Sequence, residues 1–292
     1  MNRAGGRRLE AVSPLWLVVG GIVSVQVGAA VAKGLFAPSS PTAASPTTIV
    51  WLRLTTTAVL VGAVVRPRVR GRTRHDWVVV AGFALGLGLM NWSIYQSLAR
   101  IPLGTAVTIE FLGPLAVTVA VSRRRRDLLW AALAAAGVAA LGLDPGEVTL
   151  AGVGFALVAA CGWATYILLG PRLGRTWPGG EGLAVASTLA ALVLAPFAIA
   201  ADPGSLVTPR VVGLGIGVGI LSSVIPYSLE LSALQRMPRS VFSVLMSLEP
   251  AVAALVAMVI LGELLAPIQW LATAAVVIAS VGATRSGGSS GW

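Results

Sequence analysis

The chain reads as apolar runs separated by short polar or charged connections, with runs near 14–36, 47–65, 77–97, 103–121, 127–143, 150–170, 183–201, 211–234, 240–261 and 267–284. Each is close to the about 20 residues that a helix needs to cross the hydrocarbon core of a bilayer. Ten such runs leave only short connections, and so predict an all-α membrane protein of ten transmembrane helices without a soluble domain. Lipid offers no partner to backbone N–H and C=O groups, so each span must close its hydrogen bonds internally as a helix; nothing in the pattern resembles the ten-residue alternation of barrel strands. The first run has an Arg-bearing leader and contains Ala30 to Ala32, which makes a cleavable secretory signal an alternative for that run. The continuation of the chain as further spans argues against it.

Composition agrees with the pattern. Of 292 residues, 56% are hydrophobic and 11% charged, and the mean hydropathy is +0.87; a water-soluble domain of ordinary build does not hide so much apolar surface. A net charge of +10 raises the question of nucleic acid, but the arginines are dispersed among loops and act as topology signals. With the N-terminus cytoplasmic, Arg3, Arg7, Arg8, Arg66, Arg68, Arg70, Arg72, Arg74, Arg123 to Arg126, Arg172, Arg175, Arg236, Arg239 and Arg285 all fall inside, whereas the outer loops hold only Arg100 and Arg210. This asymmetry predicts a multi-pass protein of a bacterial-type inner membrane with both termini cytoplasmic.

The chain also resembles itself. Leu98, Arg100, Pro102, Leu112 and Pro114 recur as Leu234, Arg236, Pro238, Leu248 and Pro250 at an offset of 136. A weaker match at an offset of 134 joins Gly28 and Ala30 to Gly162 and Ala164. Two repeats, 1–145 and 146–292, each with five spans, must enter the membrane in opposite senses because five is odd. That is the inverted-topology plan of many secondary transporters, whose substrate site lies near the midplane between the halves.

Three carboxylates fall within spans: Glu110, Glu230 and Glu249. An ionised carboxylate in lipid costs about 2.5 to 3.5 kcal/mol even on the lenient insertion scale, so each should face a cavity or a partner. The competing reading is a structural ion pair or a protonated acid that holds helices together. Glu110 precedes Pro114 in Glu110-Phe111-Leu112-Gly113-Pro114, and Glu249 adjoins Pro250 in Ser247-Leu248-Glu249-Pro250. Each proline withdraws the partner of the carbonyl four residues earlier, on Glu110 and Met246, and such carbonyls persist at membrane depth only against protein or water. Lys33, the only lysine, and Arg53 are the bases within spans; each is either a partner for a cavity group or a snorkelling anchor. With three acids against two bases, at least one carboxylate lacks a fixed cation and is a physical candidate to carry a proton.

Polar and aromatic residues gather on the same spans: Asn91, Tyr95 and Gln96 in the third, Trp163 and Tyr166 in the sixth, Ser223 and Tyr227 beside Glu230 in the eighth, and Ser247 beside Glu249. Together they describe a cavity for a small zwitterion, although each alone also suits interhelical hydrogen bonding or an interfacial aromatic belt. The inventory excludes other chemistries. Cys161 is the single cysteine and His75 the single histidine, which leaves no disulfide framework and no zinc site. The run Gly213, Gly215, Gly217, Gly219 follows no strand, and the sole lysine lies outside any Walker pattern. A magnesium-dependent membrane enzyme would need paired aspartates, but Asp76, Asp127, Asp144 and Asp202 sit in separate loops.

Several segments carry a family likeness: Ala32-Lys33-Gly34-Leu35-Phe36, Pro102-Leu103-Gly104-Thr105-Ala106-Val107, Glu110-Phe111-Leu112-Gly113-Pro114-Leu115-Ala116, Pro226-Tyr227-Ser228-Leu229-Glu230, Leu245-Met246-Ser247-Leu248-Glu249-Pro250-Ala251 and Gly262-Glu263. Over about 13 to 284 the chain resembles EamA-type members of the drug/metabolite transporter superfamily, and among them the threonine/homoserine exporter group. The resemblance implies two inverted five-helix repeats, a central cavity, and export of small amino acids driven by protons, with no cofactor and no nucleic-acid partner. The uncharged connection Pro38 to Pro46 is long, and where it borders an outward-open site it leaves substrate preference open, since related carriers move other amino acids, sugars or drugs on the same scaffold.

Overall fold

The computed structural model describes residues 12–36, 42–122, 125–141 and 148–287. Arg3, Arg7, Arg8, Arg123, Arg124, Asp144 and residues 38–41 of the uncharged connection lie outside the described residues, as do the side chains of Arg125, Arg126 and Arg239. All regular structure among the described residues is helical. In chain order the helices are α1 (Pro14–Gly34), α2 (Pro46–Val65), α3 (Arg74–Leu98), α4 (Leu103–Glu110), α5 (Leu112–Ser122), α6 (Arg125–Ala140), α7 (Leu150–Thr176), α8 (Glu181–Ala201), α9 (Pro209–Gly219), α10 (Ile225–Leu234), α11 (Arg239–Met246), α12 (Glu249–Leu261) and α13 (Pro267–Gly287).

Nine segments among the described residues are long and apolar enough to cross a membrane by length and composition. Three of them are composite: α4 with α5, α9 with α10, and α11 with α12. The tenth run of the sequence pattern, 127–143, gives a shorter apolar helix, Asp127–Ala140. At about 1.5 Å per residue it falls short of the ~30 Å hydrocarbon core, and the Asp144-Pro145-Gly146 stretch that follows is outside the described residues.

Helix ends follow local chemistry. Ser45 accepts from the Thr48 N–H ahead of Pro46 at the first helical position, Thr73 and Asp76 form a reciprocal capping box, and Thr149 accepts from the Gly152 N–H. Gly262 closes α12 at φ 68°, a left-handed turn that glycine adopts without a Cβ penalty. Side chains such as Leu85, Val193, Val259 and Leu271 stand exposed along the flanks of the helices, as a surface solvated by acyl chains requires.

The helices interlock across the middle of the chain. α3 packs along α7, α2 along α8, α6 along α13, and α1 against α10 and α12. α4 and α5 lean on α7, and α4 also on α12. Close approach depends on small residues. A Cβ added to Gly113 in α5 would collide with the backbone carbonyl of Ala160 in α7, so glycine there lets the two backbones touch.

The two proline-bearing stretches break at matching places. α4 and α11 each run for 8 residues from an extended Pro N-cap, Pro102 at φ −55° and ψ 144° and Pro238 at φ −59° and ψ 139°. Regular helix is interrupted at Phe111 in one and at Ser247 and Leu248 in the other. A third irregularity was not expected from sequence: Ile220–Val224, between α9 and α10, is a π-helical turn.

Candidate functional site

The π-turn organises the polar interior. A wide turn leaves carbonyls without regular helical partners, and side chains from the first half of the chain supply them. Ser24 Oγ in α1 donates to the Leu221 carbonyl at 2.7 Å. Arg53 in α2 donates through one terminal nitrogen to the Ser222 carbonyl at 3.0 Å, through Nε to Ser223 Oγ at 3.2 Å, and through the other terminal nitrogen to Tyr95 Oη at 3.4 Å. Gly28 makes room for this, since a Cβ there would overlap Ser222 Oγ and crowd Leu221. The guanidinium also lies 5.6 Å from the centre of the Tyr95 ring, and Tyr95 in turn stacks at a tilt on Phe36, 5.9 Å between centroids.

Arg53 therefore bonds to hydroxyls and a carbonyl rather than to a carboxylate, a cavity partner without a direct glutamate bond. It acts on the acids through space: Glu110 and Glu249 both lie within its electrostatic range. Glu249 also feels Glu230 and Glu110, so the three intramembrane carboxylates, from α4, α10 and α12, share one neighbourhood. Glu110 and Glu249 are both buried. Glu249 Oε1 accepts from Gln26 Nε2 at 3.1 Å. Glu230 packs against α1 at Gly21 and is within electrostatic range of Tyr166, as is Tyr227. Tyr166 rests on Phe83 with centroids 4.6 Å apart. The Tyr227 hydroxyl reaches the turn at Gly180.

Other residues singled out from sequence have local partners. Asn91 donates to the carbonyl of Leu87 on its own helix at 2.8 Å, and its Oδ1 is buried without a partner. Gln96 ties α3 to α2 by donating to Thr47 Oγ1 and accepts from Arg100. Trp163 packs edge-on against Phe111 at the helix break. Ser247 joins α11 to α13 by a 2.8 Å contact with Ser280 Oγ.

Lys33 neither snorkels freely nor joins the acid cluster. Its Nζ donates to the Ile101 carbonyl at 2.6 Å and pairs with Glu263 at 2.6 Å, while Glu263 Oε2 accepts from the Leu103 N–H. These bonds stitch α1, the α3–α4 turn and the α12–α13 turn together beside an open cleft of about 510 Å³ that Arg100 also lines. A second cross-chain tie lies at the Arg72 loop. Arg72 pairs with Glu181, donates to the Thr176 carbonyl at 2.6 Å, and sits 4.3 Å over the Trp177 ring. No group of three or more His, Cys, Asp or Glu able to hold a metal ion occurs among the described residues.

Sequence reasoning missed Gln26, the pairing of Glu263 with Lys33, and the π-turn. Gln26 was visible as an isolated amide inside an apolar run, whereas the π-turn leaves no periodicity signal in the glycine-rich, mostly apolar segment Gly213–Val224.

Comparison with known proteins places the chain among membrane transporters. The EamA-like transporter family model matches residues 150–285. The chain is 38% identical over 281 residues to the threonine/homoserine exporter RhtA of Escherichia coli strain K12, covering 95% of this chain and 93% of that one, and equally similar to RhtA of Salmonella typhimurium strain SL1344. It is 30% identical over 185 residues to the uncharacterized transporter YwfM of Bacillus subtilis strain 168, covering 61% of this chain and 62% of that one. In fold it is similar to a solved crystal structure with a TM-score of 0.61, 18% identity, and coverage of 93% of this chain and 98% of that chain.

Proposed function

The chain belongs to the EamA-like transporter family, and from that premise we propose that it is a proton-driven secondary transporter that exports small amino acids such as threonine and homoserine by alternating access. The observation that carries the reading is the shared neighbourhood of Glu110, Glu230 and Glu249, with Arg53 as the cation in range of two of them and bonded to neither. An ionisable side chain at membrane depth is costly and rare, and marks a substrate or proton path by default. Arg53, Tyr95, Tyr166 and Tyr227 complete the polar wall around the acids, and no cofactor is called for.

Under this proposal the helix Arg125–Ala140 serves as a tenth span, and the halves 1–145 and 146–292 are inverted repeats with both termini cytoplasmic in a bacterial-type inner membrane. The packing pattern supports it. Shifting each span by five positions exchanges the α3–α7 contact with the contact of α9 and α10 on α1, and returns the α2–α8 and α6–α13 pairs to themselves. The matching breaks at Phe111 and at Ser247 point the same way. The two ties at Lys33 and Arg72 then lie at opposite faces, where an alternating carrier needs contacts that open in turn.

The test is efflux of preloaded threonine and homoserine from proteoliposomes, with and without an imposed proton gradient. Efflux that rises with the gradient is the expected result. Folded protein that releases neither amino acid under any gradient overturns the substrate assignment and turns the search toward other metabolites.

A further inference from the structure

Gln26 stands out on α1. It is 1% exposed, and its Nε2 donates to Glu249 Oε1. The remaining polar atoms of the pair, Gln26 Oε1 and Glu249 Oε2, are both buried and both without a partner. Gln26 Oε1 is an acceptor, and so is Glu249 Oε2 when the carboxyl is ionised. A buried acceptor left unpaired is costly, and two of them on side chains already bonded to each other mark a place whose missing component is a donor. Among the described residues no donor bonds either atom. Arg53, the cation within range, is engaged with Ser222, Ser223 and Tyr95, and Glu230, packed on α1 at Gly21, adds a further acceptor.

A primary ammonium fits this set. It brings three N–H donors and one positive charge to acceptors that border on three carboxylates, whereas a hydroxyl brings one donor and no charge. We propose that Gln26 Oε1 and Glu249 Oε2 together bind the primary ammonium group of the transported amino acid, with Gln26 as a specificity-determining residue. The inference rests on the amino-acid export reading for the identity of the substrate, but the site itself is tested with an amine alone.

Propylamine and the matched alcohol 1-propanol are the probes, applied to the purified full chain. Propylamine is expected to raise the Tm of the wild type and of Gln26→Glu, which keeps an acceptor at the position, and to leave Gln26→Leu unshifted; 1-propanol shifts none of them. In threonine efflux, Gln26→Leu is expected to raise KM about tenfold or more with kcat changed less than about threefold. An equal propylamine shift in wild type and Gln26→Leu, or a KM changed less than about twofold, overturns the proposal.

A measurement on the wild type alone covers the case in which Gln26→Leu does not fold. Propylamine, and not 1-propanol, is expected to protect Glu249 from modification by dicyclohexylcarbodiimide, mapped by mass spectrometry. Absence of protection overturns the site. If the wild type moves neither threonine nor homoserine, the export reading fails by itself, and the protection experiment still decides whether an ammonium binds here.

Discussion

Arg53 serves three acceptors on two other elements with one planar fork. A lysine at that position carries the same charge as a point donor on a flexible stem and cannot span the Ser222 carbonyl, Ser223 Oγ and Tyr95 Oη together. Arg53→Lys is therefore expected to lose about 1–3 kcal/mol of stability, seen as a lower Tm in detergent, and to slow threonine efflux; a variant with wild-type Tm and efflux would show that these bonds do not hold the π-turn. Residues were legible as candidates in part. The three glutamates could be singled out because an acid in an apolar run is costly, and Arg53 because it lies inside a span. Which atoms they touch was not readable, since Arg53 and its partner Ser222 are 169 positions apart and meet through tertiary packing alone. Lys33 shows the same limit: its partner Glu263 sits just beyond a span, where a charge carries no signal of burial.

Elements were more legible than contacts. The apolar runs located most helix ends to within a few residues, α7 running six past the expected 170, and Pro114 and Pro250 announced the interruptions at Phe111 and at Ser247 and Leu248, because a proline in a helix interior removes a donor and clashes with the preceding turn; Pro171 and Pro196 show that α7 and α8 can absorb one without a break. The π-turn at Ile220–Val224 escaped notice, since one extra residue within a helix leaves the run of apolar positions unbroken. Between elements, Gly113 governs how closely α5 and α7 approach. Gly113→Ala drives a methyl into the Ala160 carbonyl and is expected to destabilise the protein by about 1–3 kcal/mol, whereas Gly154→Ala on the same α7 meets open space and gains up to about 1 kcal/mol of helix propensity. Thermal unfolding of the two variants side by side checks the pair, and equal Tm values would remove the close-approach argument.

At the scale of the whole molecule, the distribution of arginines makes a prediction that packing does not. In a Cys161→Ser background, Val207→Cys is expected to react with a membrane-impermeant maleimide in intact cells and Arg70→Cys only after permeabilisation; both positions are exposed. The reverse pattern would invert the assigned orientation. Sequence repetition hinted that the chain has two related halves, but not that each would find its main partners in the other, because an offset between similar segments says nothing about which surfaces meet. That cross-packing has a consequence during synthesis. Arg53 leaves the ribosome 169 residues before Ser222, and Gln26 leaves it 223 residues before Glu249. At about 5–20 residues per second, Arg53 waits roughly ten seconds or more for the backbone it will bind. For that interval a guanidinium sits in a nascent membrane helix that lacks its partners from the second half, so the first half must be held by the insertion machinery or by water until translation completes it.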